Sequence, residues 1–354
     1  MSYKGRIRYV FTSSNTGQGF QTFIPQLVER LRKVYILKGA AGTGKTTFIK
    51  LLGESICEQG YEVEYWISAL NPVNPDGLYI PQLEAAVVNG SLPQPIDPRY
   101  PGGGGEIINL GDYLDRKKLD GKMQEIREVV LRVENEQSNA YNILRTAARV
   151  EDEITGLTLG YIDMERVKQI VDCLGEEFLD RQPREKHYFA RTITADGILD
   201  YVDELSSDCR KRYIFEGPRG SGGLVLEELA RKVREGDHYL EYYHCGLNGD
   251  RVCMLIIRNL QMALIDGAYT KVVKKPWDII IDTSSCLEGY DSDSVTLKSS
   301  EAERRFESLL LEAQNLLDSA LLSLKELKKI NAASMDFGLV DQKMEQIKEE
   351  LAGQ

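Results

Sequence analysis

Histidine and tryptophan are scarce in this chain, three and two among 354 residues. His187, His238 and His244 lie apart in the sequence, which argues against a metal centre built on histidine. The six cysteines (Cys57, Cys173, Cys209, Cys245, Cys253, Cys286) contain no CxxC. Their spacing fits neither a zinc knuckle nor a disulfide scaffold, so they read as reduced, mostly buried thiols of a cytoplasmic protein. No run approaches the roughly 20 apolar residues of a membrane-spanning helix. The charged start, Met1 to Arg8, is followed by no apolar core of a signal peptide. Positive charge is also short: 44 Lys and Arg stand against 55 Asp and Glu, a net charge of -11. Nucleic-acid binding wants a basic footprint, and only Arg116-Lys117-Lys118 and the stretch Lys271 to Lys275 come near one. Neither a membrane nor a nucleic acid is an expected partner.

What the chain does have is a repeat. Phe11–Gly44 lies on Phe189–Gly222 at a constant offset without a gap. Eleven of the 34 positions are identical, among them Thr16, Gly19, Arg32, Lys33, Tyr35, Gly39, Gly42 and Gly44. Tyr61 and Tyr65 then meet Tyr239 and Tyr243, and both halves end in long amphipathic stripes at helical spacing. Ile126, Val130, Val133, Ile143, Ala147, Val150 and Ile154 form the first, and Phe306, Leu310, Ala313, Leu317, Leu321 and Leu324 the second. Tyr161-Ile162-Asp163-Met164 is echoed by Ser334-Met335-Asp336-Phe337. Two tandem domains are expected, residues 1–180 and 181–354, in contact with each other within the chain.

Within a repeat the pattern reads α/β. Strands are expected at Arg8–Phe11, Val34–Leu37 and Tyr61–Ile67, and helices at Phe20–Arg32, Thr46–Glu58 and Pro81–Asn89. Strands alternating with helices imply a mainly parallel sheet.

Residues 39–46 read Gly-Ala-Ala-Gly-Thr-Gly-Lys-Thr, a full match to GxxxxGK[ST]. The apolar strand before it and the amphipathic helix after it are the context the motif needs. Glycines let successive backbone N–H groups converge on phosphate oxygens, and the following helix adds its positive dipole end. Lys45 would reach the β- and γ-phosphates, and the Thr46 hydroxyl would ligate Mg²⁺. The nucleotide-binding set is therefore Gly39, Ala40, Ala41, Gly42, Thr43, Gly44, Lys45, Thr46 and Thr47. On these residues the chain resembles the P-loop NTPases. In its doubled layout it resembles a bacterial family of tandem P-loop ATPase-like proteins. The resemblance implies two three-layer αβα domains, each followed by long helices, with ATP or GTP and Mg²⁺ as ligands. The Asn-Lys-x-Asp signature of guanine readers is missing, which favours ATP.

The second copy departs from the motif: residues 217–224 read Gly-Pro-Arg-Gly-Ser-Gly-Gly-Leu. Gly223 replaces the lysine and Leu224 the metal-binding hydroxyl, so one active site per chain is expected. Arg219 reads as a solvated loop residue or as an arginine reaching toward the first copy. A carboxylate is also expected at a strand end beside the metal. By alignment with Ile279-Ile280-Ile281-Asp282 the choice falls on Asp97, for both catalysis and Mg²⁺, with Asp112 as the rival. Four glycines, Gly102–Gly105, suggest a hinge. A segment closing there could bring Glu106 to activate a water or a hydroxyl, and Arg99 to phosphate. Three functions remain open: an ATPase, a small-molecule or nucleotide kinase, and a non-catalytic nucleotide-dependent scaffold.

Overall fold

The computed structural model describes residues 4–99, 104–175, 184–235, 239–290 and 292–352. The first repeat runs β1 (Ile7–Phe11), β2 (Ser13–Thr16), β3 (Gly19–Thr22), α1 (Ile24–Val28), β4 (Lys33–Lys38), α2 (Lys45–Glu58), β5 (Val63–Ile67), β6 (Pro75–Ile80), β7 (Ala85–Asn89), β8 (Gly105–Asn109), α3 (Arg116–Leu119), α4 (Met123–Leu159) and α5 (Met164–Gly175). The second runs β9 (Arg184–Phe189), β10 (Arg191–Thr194), β11 (Gly197–Asp200), α6 (Val202–Leu205), β12 (Lys211–Glu216), α7 (Ser221–Glu235), β13 (Tyr239–His244), β14 (Val252–Ile257), β15 (Met262–Asp266), β16 (Ile279–Asp282), α8 (Ser292–Ala332) and α9 (Phe337–Ala352).

The chain divides into two compact units that do not coincide with the sequence halves. Unit 1 comprises Met1–Ser13, Phe20–Ala140 and Asn315–Gln354, and unit 2 comprises Ser14–Gly19 and Tyr141–Gln314. Helices α4 and α8 contribute to both. Each unit thus combines the α/β part of one repeat with closing helices of the other.

In unit 1 the strand order is β1-β5-β6-β7-β4-β8. Three of its pairings are parallel (β1 with β5, β7 with β4, β4 with β8), and β6 runs antiparallel to both its neighbours. Unit 2 repeats this in the order β9-β13-β14-β15-β12-β16, with β14 as the antiparallel strand. The fold is α/β with mostly parallel sheets, as the alternating pattern implies.

Two expected helices are different elements. Pro81–Asn89 is a single 3-10 turn, Pro81–Leu83, followed by strand β7. Glu84 stands between them at φ 46°, and Gln261 takes the same left-handed turn at φ 50° in the second repeat. The β-branched pair Val87-Val88 belongs in a buried strand, and β7 is inserted between β6 and β4. The helix expected over Phe20–Arg32 is only the short α1, because Gly19–Thr22 forms a strand.

The core of unit 1 lies between its sheet and α2, which buries Phe48, Ile49, Leu52 and Ile56 at helical spacing. Tyr65 of β5 faces this helix, its hydroxyl donating to the Lys50 carbonyl at 3.0 Å, and Phe11, Tyr35, Leu37 and Leu78 are fully buried strand residues of the same unit. In unit 2 the same face of α7, with Leu226, Leu229 and Val233, packs on Phe215, Tyr242 and Leu264. Unit 2 also buries an ion pair that replaces apolar packing in unit 1. Arg212 of β12 is fully enclosed with Asp203 at 3.0 Å and Asp278 at 3.3 Å, where the first repeat has Val34.

The closing helices are attached by matched backbone bonds. Asp336 N–H donates to the Tyr113 carbonyl at 2.9 Å, and Asp115 N–H to that of Ser334 at 2.7 Å. In unit 2 the equivalents are Asp163 N–H to Cys286 at 2.7 Å and Glu288 N–H to Tyr161 at 2.8 Å. All four residues of each set are related by one constant offset, the one that lays Asp163 on Asp336. No helix among the described residues is long and apolar enough to cross a membrane. All six cysteines are free thiols, and only Cys173 is exposed.

Candidate functional site

Strand β4 ends at Lys38, and α2 begins at Lys45, so Gly39–Gly44 is the whole connection. Three of its residues require the left-handed region: Gly39 at φ 143°, Gly42 at 92° and Gly44 at 92°. Side chains are disfavoured there, which accounts for glycine at these positions of the motif. Gly44 is the N-cap of α2 and lacks a side-chain acceptor, so the first N–H groups of the helix have no side-chain cap. Lys45 opens α2 and folds back over the loop, donating to the carbonyls of Gly39 at 2.6 Å and Ala40 at 2.8 Å. Thr43 closes the curl by donating its hydroxyl to Ala40 at 2.9 Å. Ala40 is exposed, Ala41 and Thr46 are half-buried, and Thr47 points outward on the helix. Below the loop, Gly39 N–H donates to Ser91 Oγ at 3.2 Å and Lys38 Nζ to the Gly90 carbonyl at 3.0 Å.

The carboxylate that acts on Lys45 is Asp76, which the sequence reading does not select. It opens β6, level with the end of β7, and Asn89 Nδ2 donates to its Oδ1 at 3.0 Å. Ser68 also hydrogen-bonds it. At 5% exposure, burial raises its carboxyl above the usual range, while the ammonium groups of Lys328 and Lys45 pull the other way. Burial in turn lowers Lys45 to about 8, opposed by Asp76. The sequence conceals Asp76 because Asn74-Pro75-Asp76-Gly77 has the composition of a turn.

Asp97 is not at a strand end. The strand beside β4 is β8, and Lys38 pairs with Asn109 as Glu216 pairs with Asp282. The first-repeat counterpart of Asp282 is therefore Asn109, and the alignment that selected Asp97 is corrected. Asp97 lies in the irregular segment before β8, largely exposed, with Lys38 Nζ at 2.8 Å as its ion-pair partner. The rival, Asp112, follows β8 and accepts from Asn109 Nδ2 at 2.7 Å.

Glu106 is not brought to the loop. It stands opposite Tyr35 in β8, four residues back from Gly39, which is about 13 Å of strand. Its partners are Lys33 at 3.2 Å and Lys343 at 3.7 Å. Arg99 is paired with Glu29 on the surface. Of the glycine segment, residues 102 and 103 lie outside the described residues.

In unit 2 the degenerate loop faces its own charges. Arg219 has Glu151 at 3.5 Å and lies over the rings of Tyr269 and Phe306. Arg251 takes the same Glu151 at 2.6 Å. Arg219 is thus engaged within unit 2 rather than solvated. His187 Nδ1 and His244 Nε2 stand 2.8 Å apart, and burial pushes His244 down to about 3, so it is neutral.

Beside this loop Asp266 ends β15, fully buried. Its Oδ1 accepts from Ala268 N–H at 2.9 Å, and its Oδ2 has no hydrogen-bond partner among the described residues. Burial pushes the carboxyl up to about 7, against the pull of Arg251 and Arg219. The folded chain then holds this proton to higher pH than the unfolded chain does. The resulting stability is complete below about pH 4, the unfolded value, and is lost at about 1.4 kcal/mol per pH unit toward the folded value. Asp266→Asn should flatten the pH dependence of urea denaturation between those two values, and an unchanged slope would contradict a buried, protonated carboxyl.

No protein-family model matches the chain, nor does any curated protein or solved structure.

Proposed function

We propose that unit 1 is a P-loop nucleotide-binding domain of αβα type that binds ATP with Mg²⁺ and hydrolyses it. The observation that carries this reading is the loop itself. A complete GxxxxGKT sequence lies between a parallel strand and a helix, with its glycines left-handed and its lysine over the curl. An anion held there would meet the uncapped N–H groups of α2 and the Lys45 ammonium together.

The oxygen donors beside the loop suit Mg²⁺, a hard cation that takes one or two protein oxygens and completes its shell with phosphate and water. Thr46 and Asp76 are the residues that would hold it, whereas Asp97 is paired with Lys38 and Asp112 with Asn109. When bound, the ion would neutralise charge on the phosphates during transfer. Lys45 would do the same from the protein side. Asp76 would also keep Lys45 charged by opposing the effect of its burial.

The test is phosphate release from ATP and from GTP, with and without a panel of small hydroxyl-bearing acceptors. Release from ATP without an acceptor supports the ATPase. Label appearing on an acceptor would replace it with a kinase. Absence of both, with tight ATP binding, would leave a nucleotide-dependent scaffold.

One nucleotide per chain is expected. Gly223 and Leu224 supply neither cation nor hydroxyl, and Arg219 is held by Glu151. Calorimetry with Mg²⁺ and ATP should give a stoichiometry near one. A value near two, with one tight site surviving in Lys45→Ala, would show that the second loop also binds.

A further inference from the structure

The loop of the first repeat is covered by a helix of the second. Within unit 1, α8 passes so close to Gly42 that a Cβ there would stand 2.5 Å from the carbonyl oxygen of Lys328. One turn on, Asn331 Nδ2 donates to the Ala41 carbonyl at 2.8 Å. The Lys328 side chain is half-buried and makes no hydrogen bond or close ion pair among the described residues. Its charge nevertheless acts on both Asp76 and Lys45. Two ammonium groups therefore act on one buried carboxylate beside the loop. A single carboxylate cannot neutralise both, so the site carries an excess of positive charge in a part of the molecule shielded from solvent. Such an excess suits a polyanion.

Unit 2 provides an internal control. By the offset that lays Asp163 on Asp336, Lys328 corresponds to Thr155, and Gly220 faces Thr155 as Gly42 faces Lys328. Thr155 is neutral, and its hydroxyl is already engaged with the Tyr269 hydroxyl at 2.5 Å. The position of Asp76, one residue before the Gly77 that pairs with Trp66, is filled in β14 by Cys253, one before the Met254 that pairs with Tyr243. The loop that keeps its lysine and threonine has a helix lysine and a buried carboxylate beside it. The loop that has lost them has neither at these two positions: its buried carboxylates are Asp266, at the end of β15, and Glu151, which holds Arg219 and Arg251. Packing alone does not require these differences to occur together.

We infer that the nucleotide site is built from both repeats, with Lys328 on α8 as a second phosphate-binding cation beside Lys45. This rests on the nucleotide-binding reading of Gly39–Thr46 and extends it. The phosphate chain would lie between a cation of the first repeat and one of the second. Hence neither repeat by itself would hold a complete site.

The experiment uses the full chain and measures Mg-ATP affinity by calorimetry, with melting temperature as the fold control. Lys328→Met keeps the aliphatic stem and removes the charge, and Lys328→Arg keeps the charge. Lys325→Met removes an exposed charge about one turn away. Lys328→Met should weaken binding at least about tenfold at an unchanged melting temperature, because a hydrogen-bonded charged contact in a shielded site is typically worth that much. Lys328→Arg should stay within about threefold of wild type, and Lys325→Met should match it. Wild-type affinity in Lys328→Met, while Lys45→Ala destroys binding, would overturn this inference and leave the nucleotide reading standing. Equal losses in Lys328→Met and Lys328→Arg with lowered melting temperatures would make Lys328 a packing residue and overturn it as well. No binding by the wild-type chain would overturn both.

Discussion

Lys45→Ala is expected to leave a folded protein whose Mg-ATP turnover falls by about 10² or more, the usual cost of removing one preorganised group that meets developing charge. The side chain is buried at 8% exposure, and its ammonium is bonded to the carbonyls of Gly39 and Ala40 in the loop. Truncation therefore removes the cation and two bonds to the loop's own carbonyls while the Phe48 to Ile56 face remains. The same lysine predicts a pH dependence. Burial lowers it to about 8, so in the empty site it is charged below that pH and neutral above it. Phosphate binds the charged form. ATP affinity should therefore weaken as pH rises past about 8, with proton uptake on binding in that range. Lys45→Arg, which stays charged, should lose this dependence. A folded Lys45→Ala variant with wild-type turnover would remove Lys45 from the chemistry.

Asp76→Asn is the second large effect. The substitution keeps the size of the side chain and an acceptor for Asn89 Nδ2, but deletes the buried charge that acts on Lys45 and is acted on by Lys328. Mg²⁺-dependent turnover should fall by about 10², with ATP affinity changed by less than about tenfold, because a carboxylate at the metal acts mainly where charge develops. Stability should not suffer, since the buried carboxyl sits above its usual range and its ionised form is disfavoured by burial. Asp97→Asn should change turnover by less than about threefold, as an exposed pair with Lys38 contributes little. The reverse ranking, with Asp97 the sensitive residue, would return the metal-supporting role to the segment before β8.

The loop between β4 and α2 was readable because its motif is local: the glycines, the lysine and the flanking apolar periods all lie between Val34 and Glu58. The carboxylate was not, for a physical reason. Asp76 reaches the site through the antiparallel pairing of β6, and its own neighbours, Pro75 and Gly77, resemble a turn. Strand β7 read as a helix because Pro81 looks like a first-turn proline and Ala85-Ala86 tolerate either state. The left-handed Glu84 that redirects the chain leaves no mark in the sequence. Asp97 illustrates a third limit. Aligning it with Asp282 took the first apolar residues after the Gly90 turn, Pro95-Ile96-Asp97, for the edge strand, whereas β8 starts only at Gly105 and places Asn109 opposite Asp282. The long helices were legible as amphipathic stripes. A stripe shows that a face is buried, not what buries it, so the exchange of α4 and α8 between the two α/β parts could not be read.

Hydrogen exchange of the full chain with and without Mg-ATP tests the central claim most directly, because the amides of the loop are themselves the proposed phosphate ligands. The expected result is slowed exchange over residues 39–47, extending to the start of β6 and to the α8 turn at Lys328 and Asn331, with residues 217–224 unchanged. Protection confined to other segments, with residues 39–47 exchanging as in the free chain, would contradict the assignment of this loop as the nucleotide site.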